Sequence, residues 1–406
     1  MNKKGGKPID LRKERLMPRE ETLEVESGQQ EMVIGIPKED HEKESRVPLT
    51  PEAVEILTGH GHRVIIETGA GEAANYPDNQ YAESGAMITE TRAEVFRGDM
   101  VLKIDPPGLE DIGLMKERML LISSFQAKTH SDRSYIEKLM AKKVTAISME
   151  RIRDEHECYP LIRSMSGIAG NTAVLIAGEY LSNVRGGKGV MLGGITGITP
   201  TEVVILGAGT AAEFAVRAAL GMGAFVKVFD DSVQRLRRLQ SAVGINIPTS
   251  IFHPRVIEKA LKSADVVIGA VRNNDHTPSY FITEEMVSGM KKGSVIVDIS
   301  IDHGGCVATS ERRTQKDPVF TKYGIIHYCV PNIPSRVART ASIAISNVLS
   351  PMLKNMGRLQ SISNHLKDDE GLRNGVYIYN GLLTNEILGK RFGIPARDID
   401  LLMAAF

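Results

Sequence analysis

Between an apolar strand and an alanine-rich helix the chain reads VVILGAGTAAEFAV, which spaces Gly207, Gly209 and Ala212 as Gly-x-Gly-x-x-Ala. That spacing binds phosphate. The first glycine permits a tight strand-to-helix turn, the second lets main chain approach a pyrophosphate, and the alanine lets helix and strand pack closely. Gly207, Ala208, Gly209, Thr210 and Ala211 then form a backbone cradle at a helix N-terminus, where N–H groups point toward phosphate oxygens. The next strand, AFVKVFD, ends in Asp230, roughly 20 residues on, where an acid receives the adenosine ribose hydroxyls. An acid there favours NAD, because a 2′-phosphate would meet negative charge. Later strand ends point into the same crevice. Ala270 and Val271 lie in GAVR (269–272), and Asp302 lies in DISIDHGG (298–305), well placed for the nicotinamide end. For Asp302 an Asx turn ahead of Gly304 and Gly305 is the structural alternative.

A second stretch with chemical potential is VLKIDPP (101–107), which reads as a buried strand stopping in a Pro-Pro corner. Side chains two apart on a strand share a face, so Lys103 and Asp105 point the same way, either as an ion pair at a rim or as part of a cleft.

Positioning these groups takes more than one domain, and 406 residues suggest two or three. From Met32 onward short apolar strands alternate with amphipathic helices: MVIGIP (32–37), TPEAVEILTGHG (50–61) with an N-cap threonine and a proline at the first helical position, then RVIIETG (63–69). Such alternation predicts α/β architecture with mostly parallel sheets covered on both faces. A second α/β unit opens at TEVVILGAG, inside the chain. The expected organisation is two Rossmann-like domains. A tail covers 1–31, a substrate domain is built from 32–162 and 339–406, and the NAD-binding domain, 163–338, is inserted into it. Two long helices, 165–183 and 339–357, the first rich in small residues, bracket the insertion.

Composition narrows the function. Formal net charge is +0, with 25% charged and 42% hydrophobic residues, so nothing drives binding to nucleic acid or an anionic membrane. No apolar run approaches the roughly 20 residues of a membrane span. The tail mixes Lys and Arg with Glu and lacks the apolar core of a signal peptide. Cys158, Cys306 and Cys329 are far apart, with neither disulfide nor metal spacing, and suit a reducing cytoplasm.

Several motifs together, IGIPKE, SRVPLTPEAVEIL, GHRVIIETGAG, MLGGITGITP, VDISIDHGGC and HYCVPNIP followed by RT, resemble alanine dehydrogenases and the related nucleotide-binding subunit of proton-translocating transhydrogenases. The likeness runs from about residue 32 to about 390. It implies a cytoplasmic homohexamer or dimer that uses NAD to deaminate L-alanine reversibly to pyruvate and ammonia. The partners are then small amino and 2-oxo acids. It also implies roles: Arg46 in SRVPLTP clamps the substrate carboxylate, Asp302 orients the amine and moves protons, Ser166 contacts the pyrophosphate, and Asn332 lies near the nicotinamide.

Two positions depart from the family pattern. The strand written LKVKEP in the family carries a substrate-contacting lysine where VLKIDPP has Asp105, and the histidine of TYLHLA aligns with Gln126 in ISSFQAK. Gln cannot titrate, and Asp reverses the charge. Asp105 and Gln126 therefore stand as the substituted pocket pair. Lys103, His303 and Lys38 are stand-ins for the lost proton carriers, each with a structural alternative. The rewritten pocket keeps open a dehydrogenase for another amino or imino acid, and an NAD(H)-binding protein without turnover.

Overall fold

Each run of strand–helix alternation builds its own sheet. The computed structural model describes residues 31–125, 132–271, 281–354, 356 and 359–405. The first sheet contains β1 (Val33–Ile36), β2 (Arg63–Glu67), β3 (Met87–Thr89), β4 (Met100–Leu102), β5 (Leu120–Ser123), β6 (Thr145–Ser148), β14 (Val376–Tyr379) and β15 (Leu382–Leu383). The second contains β7 (Glu202–Leu206), β8 (Phe225–Phe229), β9 (Thr249–Ser250), β10 (Val266–Gly269), β11 (Val295–Asp298), β12 (Val319–Lys322) and β13 (Ile325–Tyr328). Their orders are β15-β14-β6-β5-β4-β1-β2-β3 and β12-β13-β11-β10-β7-β8-β9. Pairing is parallel except at β12, β14 and β15. Counted along their parallel strands, both sheets therefore share the doubly wound order 3-2-1-4-5-6, with a switch point between β1 and β4 and another between β7 and β10. At such points crevices open beyond the strand carboxyl ends. Because β14 and β15 return to the first sheet after the second is complete, the second unit is an insertion.

Two long helices, Pro160–Leu181 and Ala338–Leu353, bracket it. The first starts five residues ahead of the boundary read from sequence, because Pro160 occupies the favoured first helical position. The second ends just past Pro351, whose ring cannot donate to the helical ladder. The small residues of Pro160–Leu181 permit a close crossing with helix Thr210–Gly221. A Cβ on Gly170 would lie 2.1 Å from the Ala211 carbonyl oxygen, and one on Gly167 3.1 Å from the Phe214 ring. That crossing brings the linker helix against the N-terminal end of helix Thr210–Gly221.

VLKIDPP differs from its expected form. All three β4 residues are fully buried, but the strand stops at Leu102. The Lys103 N–H still donates to Ile122 O at 3.1 Å. The Ile104 N–H leaves the ladder for the Glu39 carboxylate at 2.6 Å. A side chain from beyond β1 intercepts the backbone. Among the described residues no helix is long and apolar enough to cross a membrane.

Candidate active site

The glycine loop is set by backbone proximity. Gly207 has φ +103°, and a Cβ there would lie 2.4 Å from the Ala270 carbonyl oxygen, so the two strand ends at the switch point can approach only at a glycine. Gly209 caps helix Thr210–Gly221 without a side-chain bond, and a Cβ on it would meet nothing within 4 Å. The first N–H groups of the helix, which have no intrahelical partner, therefore open onto free space of the kind a pyrophosphate fills. Ala212 is fully buried against the sheet. Asp230, 3% exposed, accepts from Ala208 N at 2.7 Å, Ser232 N at 2.8 Å and Arg235 Nε at 2.9 Å. It thus ties the glycine loop to the strand end where a ribose would lie. Val271 N donates to Ser300 Oγ at 3.0 Å, joining the two neighbouring strand ends.

The loop after β1 is laced to helix Ala338–Leu353. Ser342 and Ser346, one turn apart, accept from Val47 N at 2.9 Å and Thr50 N at 2.8 Å, and Ser335 accepts from Ser45 N at 2.9 Å. Arg46, held in this way, donates from Nε to Glu44 at 2.7 Å and from one terminal nitrogen at 2.5 Å, a bidentate fork. Its other terminal nitrogen donates to a weak acceptor, the Met165 sulfur, at 3.3 Å. Asn332 Nδ2 donates to Glu44 at 2.8 Å, and Asn332 N donates to Asp302 Oδ1 at 3.0 Å. A continuous polar chain, Arg46–Glu44–Asn332–Asp302, thus joins the first domain to the second.

Asp302 rides on a 3-10 turn, Ile299–His303, fixed by Asp298 at the end of β11. Asp298 is fully buried and accepts from Ser300 N at 3.0 Å, Cys306 N at 3.0 Å and Ser310 Oγ at 2.6 Å. Burial raises the pKa of Asp302 above the ordinary carboxyl range, although the Asn332 N–H and the charges of Arg312 and Arg46 oppose it. At Glu44 burial pushes upward, but Arg46 outweighs it and the pKa is lowered. The chain therefore offers one carboxyl inclined to hold a proton and one that stays ionised.

Beside this chain lies a cleft of about 570 Å³, bordered among others by Lys43, Arg92, Lys103, Asp105, Asp111 and Tyr135. Lys103 and Asp105 do share a wall, as strand parity implied. The partner of Lys103 is nevertheless Glu39, through a buried ion pair. Burial pushes Glu39 up to about 7, against the pull of Lys103. Asp105 is half-buried and feels Lys43 and Tyr135.

The structure thus brings Arg46, Asn332 and Asp302 together, and separately Gly207, Ala208, Gly209, Thr210, Ala211, Asp230, Ala270 and Val271. Ser166 is half-buried on the linker helix, one residue from Met165 at the Arg46 end and one from Gly167 at the nucleotide helix. Asp105 stands in the adjoining cleft rather than on the Arg46 chain. His303 is exposed. Gln126 lies outside the described residues. Glu39, Glu44 and Asp298 were not singled out from sequence. The signals were present: Glu44 stands two residues before Arg46, and Asp298 is the acid closing the apolar run VIVD.

Two Rossmann-type domains, a glycine loop opening helix Thr210–Gly221 with Asp230 at the end of the next strand, and a polar chain crossing from one domain to the other make the frame of an NAD-dependent oxidoreductase. The chain belongs to the alanine dehydrogenase/PNT family, whose N-terminal domain model matches residues 35–169 and whose C-terminal domain model matches 173–386. An alanine dehydrogenase of Staphylococcus saprophyticus is 36% identical over 91% of this chain and 99% of its own length, and one of Methanococcus maripaludis is 37% identical over 90% and 97%. The solved structure of an L-alanine dehydrogenase superposes with a TM-score of 0.82 at 34% identity, covering 89% of this chain and 99% of that one. A transhydrogenase from Sinorhizobium meliloti, at 21% identity and a TM-score of 0.74, shares the fold over 87% of this chain.

Proposed function

We propose that this chain catalyses the reversible, NAD-linked oxidative deamination of L-alanine: alanine, NAD and water give pyruvate, ammonium, NADH and a proton. The observation that carries the reading is the Arg46–Glu44–Asn332–Asp302 chain beside the nucleotide cradle. NAD, when bound, supplies the acceptor for the Cα hydrogen as hydride. The residues supply the rest. Glu44 occupies one edge of the Arg46 guanidinium, so the edge now against the Met165 sulfur is the one that takes a substrate carboxylate. A carboxylate docked there sets the Cα beside Asp302, whose raised pKa suits a group that takes and returns the amine proton. Asn332, fixed by both acids, holds the two halves in register, and Ser166 closes the pyrophosphate end. Asp230 receives the ribose.

The domain limits that fit this division are 32–162 with 339–406 for substrate and 163–338 for NAD. A homo-oligomer, dimer or hexamer, is supported by large apolar side chains left exposed at Leu175, Val184, Met191, Ile195 and Ile198, and light scattering checks it. Three free cysteines fit a cytoplasmic setting. Asp105, where the family pattern has lysine, favours one second reading, a dehydrogenase for a larger amino or imino acid whose side chain enters the 570 Å³ cleft. NADH oxidation with ammonia and a panel of 2-oxo acids decides between them. Fastest turnover with pyruvate supports alanine, and turnover only with another oxo acid supports the second reading.

A further inference from the structure

Lys103 links the cleft to the loop after β1. It borders the cleft that Asp105 lines, and its Nζ is paired with Glu39. Both residues are only 5% exposed. The second Glu39 oxygen is pinned by the Ile104 N–H at 2.6 Å, so the carboxyl cannot rotate away from its partner. Glu39 in turn interacts electrostatically with Arg46 and Glu44, which places the pair next to the carboxylate clamp. Burying two charges costs solvation that the pair only partly recovers, and an apolar pair of similar volume is often at least as stable. Stability alone therefore does not account for this pair.

We propose that Lys103, positioned by Glu39, is the proton carrier at the substrate oxygen, in place of the lysine that the family pattern puts at position 105. The proposal rests on the alanine dehydrogenase reading. In the direction of amine synthesis the lone pair of ammonia forms the C–N bond to C2 of pyruvate. The carbonyl π pair moves onto oxygen, and that oxygen takes a proton from the Lys103 ammonium. The new nitrogen gives one of its protons to Asp302. Lys103, left neutral, is recharged by the Glu39 carboxyl, which holds a proton near neutrality because burial lifts it to about 7. The recharged Lys103 gives a second proton to the hydroxyl, which leaves as water while the nitrogen lone pair forms the C=N bond that later takes the hydride. Deamination runs the same transfers backwards.

The test is Lys103→Arg, which keeps the cation and its pairing with Glu39 but cannot release a proton near neutral pH. The expected result is a fall in kcat for pyruvate, ammonia and NADH of about 10²-fold, within the range of a lost acid–base group. NADH affinity should be retained. Glu39→Gln supplies a readout that a purely structural role would not move. Its pH profile of kcat/KM should lose an ionisation near 7, whereas the wild type shows it. Lys103→Arg turning over at the wild-type rate, or Glu39→Gln keeping the wild-type profile, overturns the proposal. A wild-type enzyme without turnover of pyruvate overturns the alanine reading instead, so the two failures are told apart.

Discussion

Asp230→Asn separates a built ribose site from a mere strand-to-helix turn. The carboxylate accepts three hydrogen bonds, from Ala208 N at 2.7 Å, Ser232 N at 2.8 Å and Arg235 Nε at 2.9 Å. Asparagine has the same shape but only one acceptor oxygen. With that oxygen toward Ser232 and Arg235, its NH2 faces the Ala208 N–H; turned over, it faces the other two donors. The first arrangement loses the least, one bond to a charged acceptor, worth about 2 kcal/mol. The Gly207–Gly209 loop relaxes to relieve the donor–donor contact, and nucleotide binding must rebuild it. At 1.4 kcal/mol per decade that is about a 30-fold rise in the NADH dissociation constant, before any ribose contact is counted. Fluorescence titration of NADH, with circular dichroism to verify folding, reads it. Arg235→Ala is the control. That side chain is about half exposed, so affinity should change by only about threefold or less. Wild-type affinity in Asp230→Asn would refute the assignment of Asp230 to the ribose.

Three further outcomes follow from the same geometry. Gly207→Ala places a Cβ 2.4 Å from the Ala270 oxygen at φ +103°, so it should cost about 3 kcal/mol or more and abolish NADH binding; a wild-type melting temperature would count against the close strand approach. Glu39 carries a pKa raised from 4.5 to about 7, so the folded state binds the proton more tightly. The stability it contributes is present below about pH 4.5 and is lost as pH rises toward 7, a span of about 3 kcal/mol. Urea midpoints measured across that window should fall more steeply for wild type than for Glu39→Gln, and parallel slopes would contradict the burial of an ionisable carboxyl. Arg46→Lys keeps the charge but loses the fork, so KM for alanine should rise about 10²-fold while NADH affinity holds, checked by steady-state kinetics and titration.

The nucleotide half was the more legible in sequence, because its demands are local. Gly207, Gly209, Ala212 and Asp230 lie within one strand–turn–helix–strand unit, and spacing alone encodes that placement. The inserted architecture could also be read, since strand–helix alternation restarts at TEVVILGAG and the chain must return to complete the first sheet. Edge strands such as β3, β9 and β15, two or three residues long, carry too little periodicity to announce themselves. The substrate side depends on contacts between residues nearly 300 apart, as between Glu44, which pairs with Arg46, and Asn332. No local pattern reveals that Glu44 is the shared acceptor. VLKIDPP shows the same limit. Strand parity correctly put Lys103 and Asp105 on one wall, but Glu39, from the loop after β1, claims Lys103, and the strand ends at Leu102, three residues short of Asp105.

The most direct measurement is NADH formation by the purified wild-type chain with L-alanine and NAD, set beside Arg46→Ala. Alanine-dependent turnover is expected in the wild type and its near-complete loss in the variant, with NADH still bound by both. Wild-type protein that binds NADH but turns over neither alanine nor pyruvate with ammonia, or Arg46→Ala that turns over alanine like the wild type, would contradict that expectation.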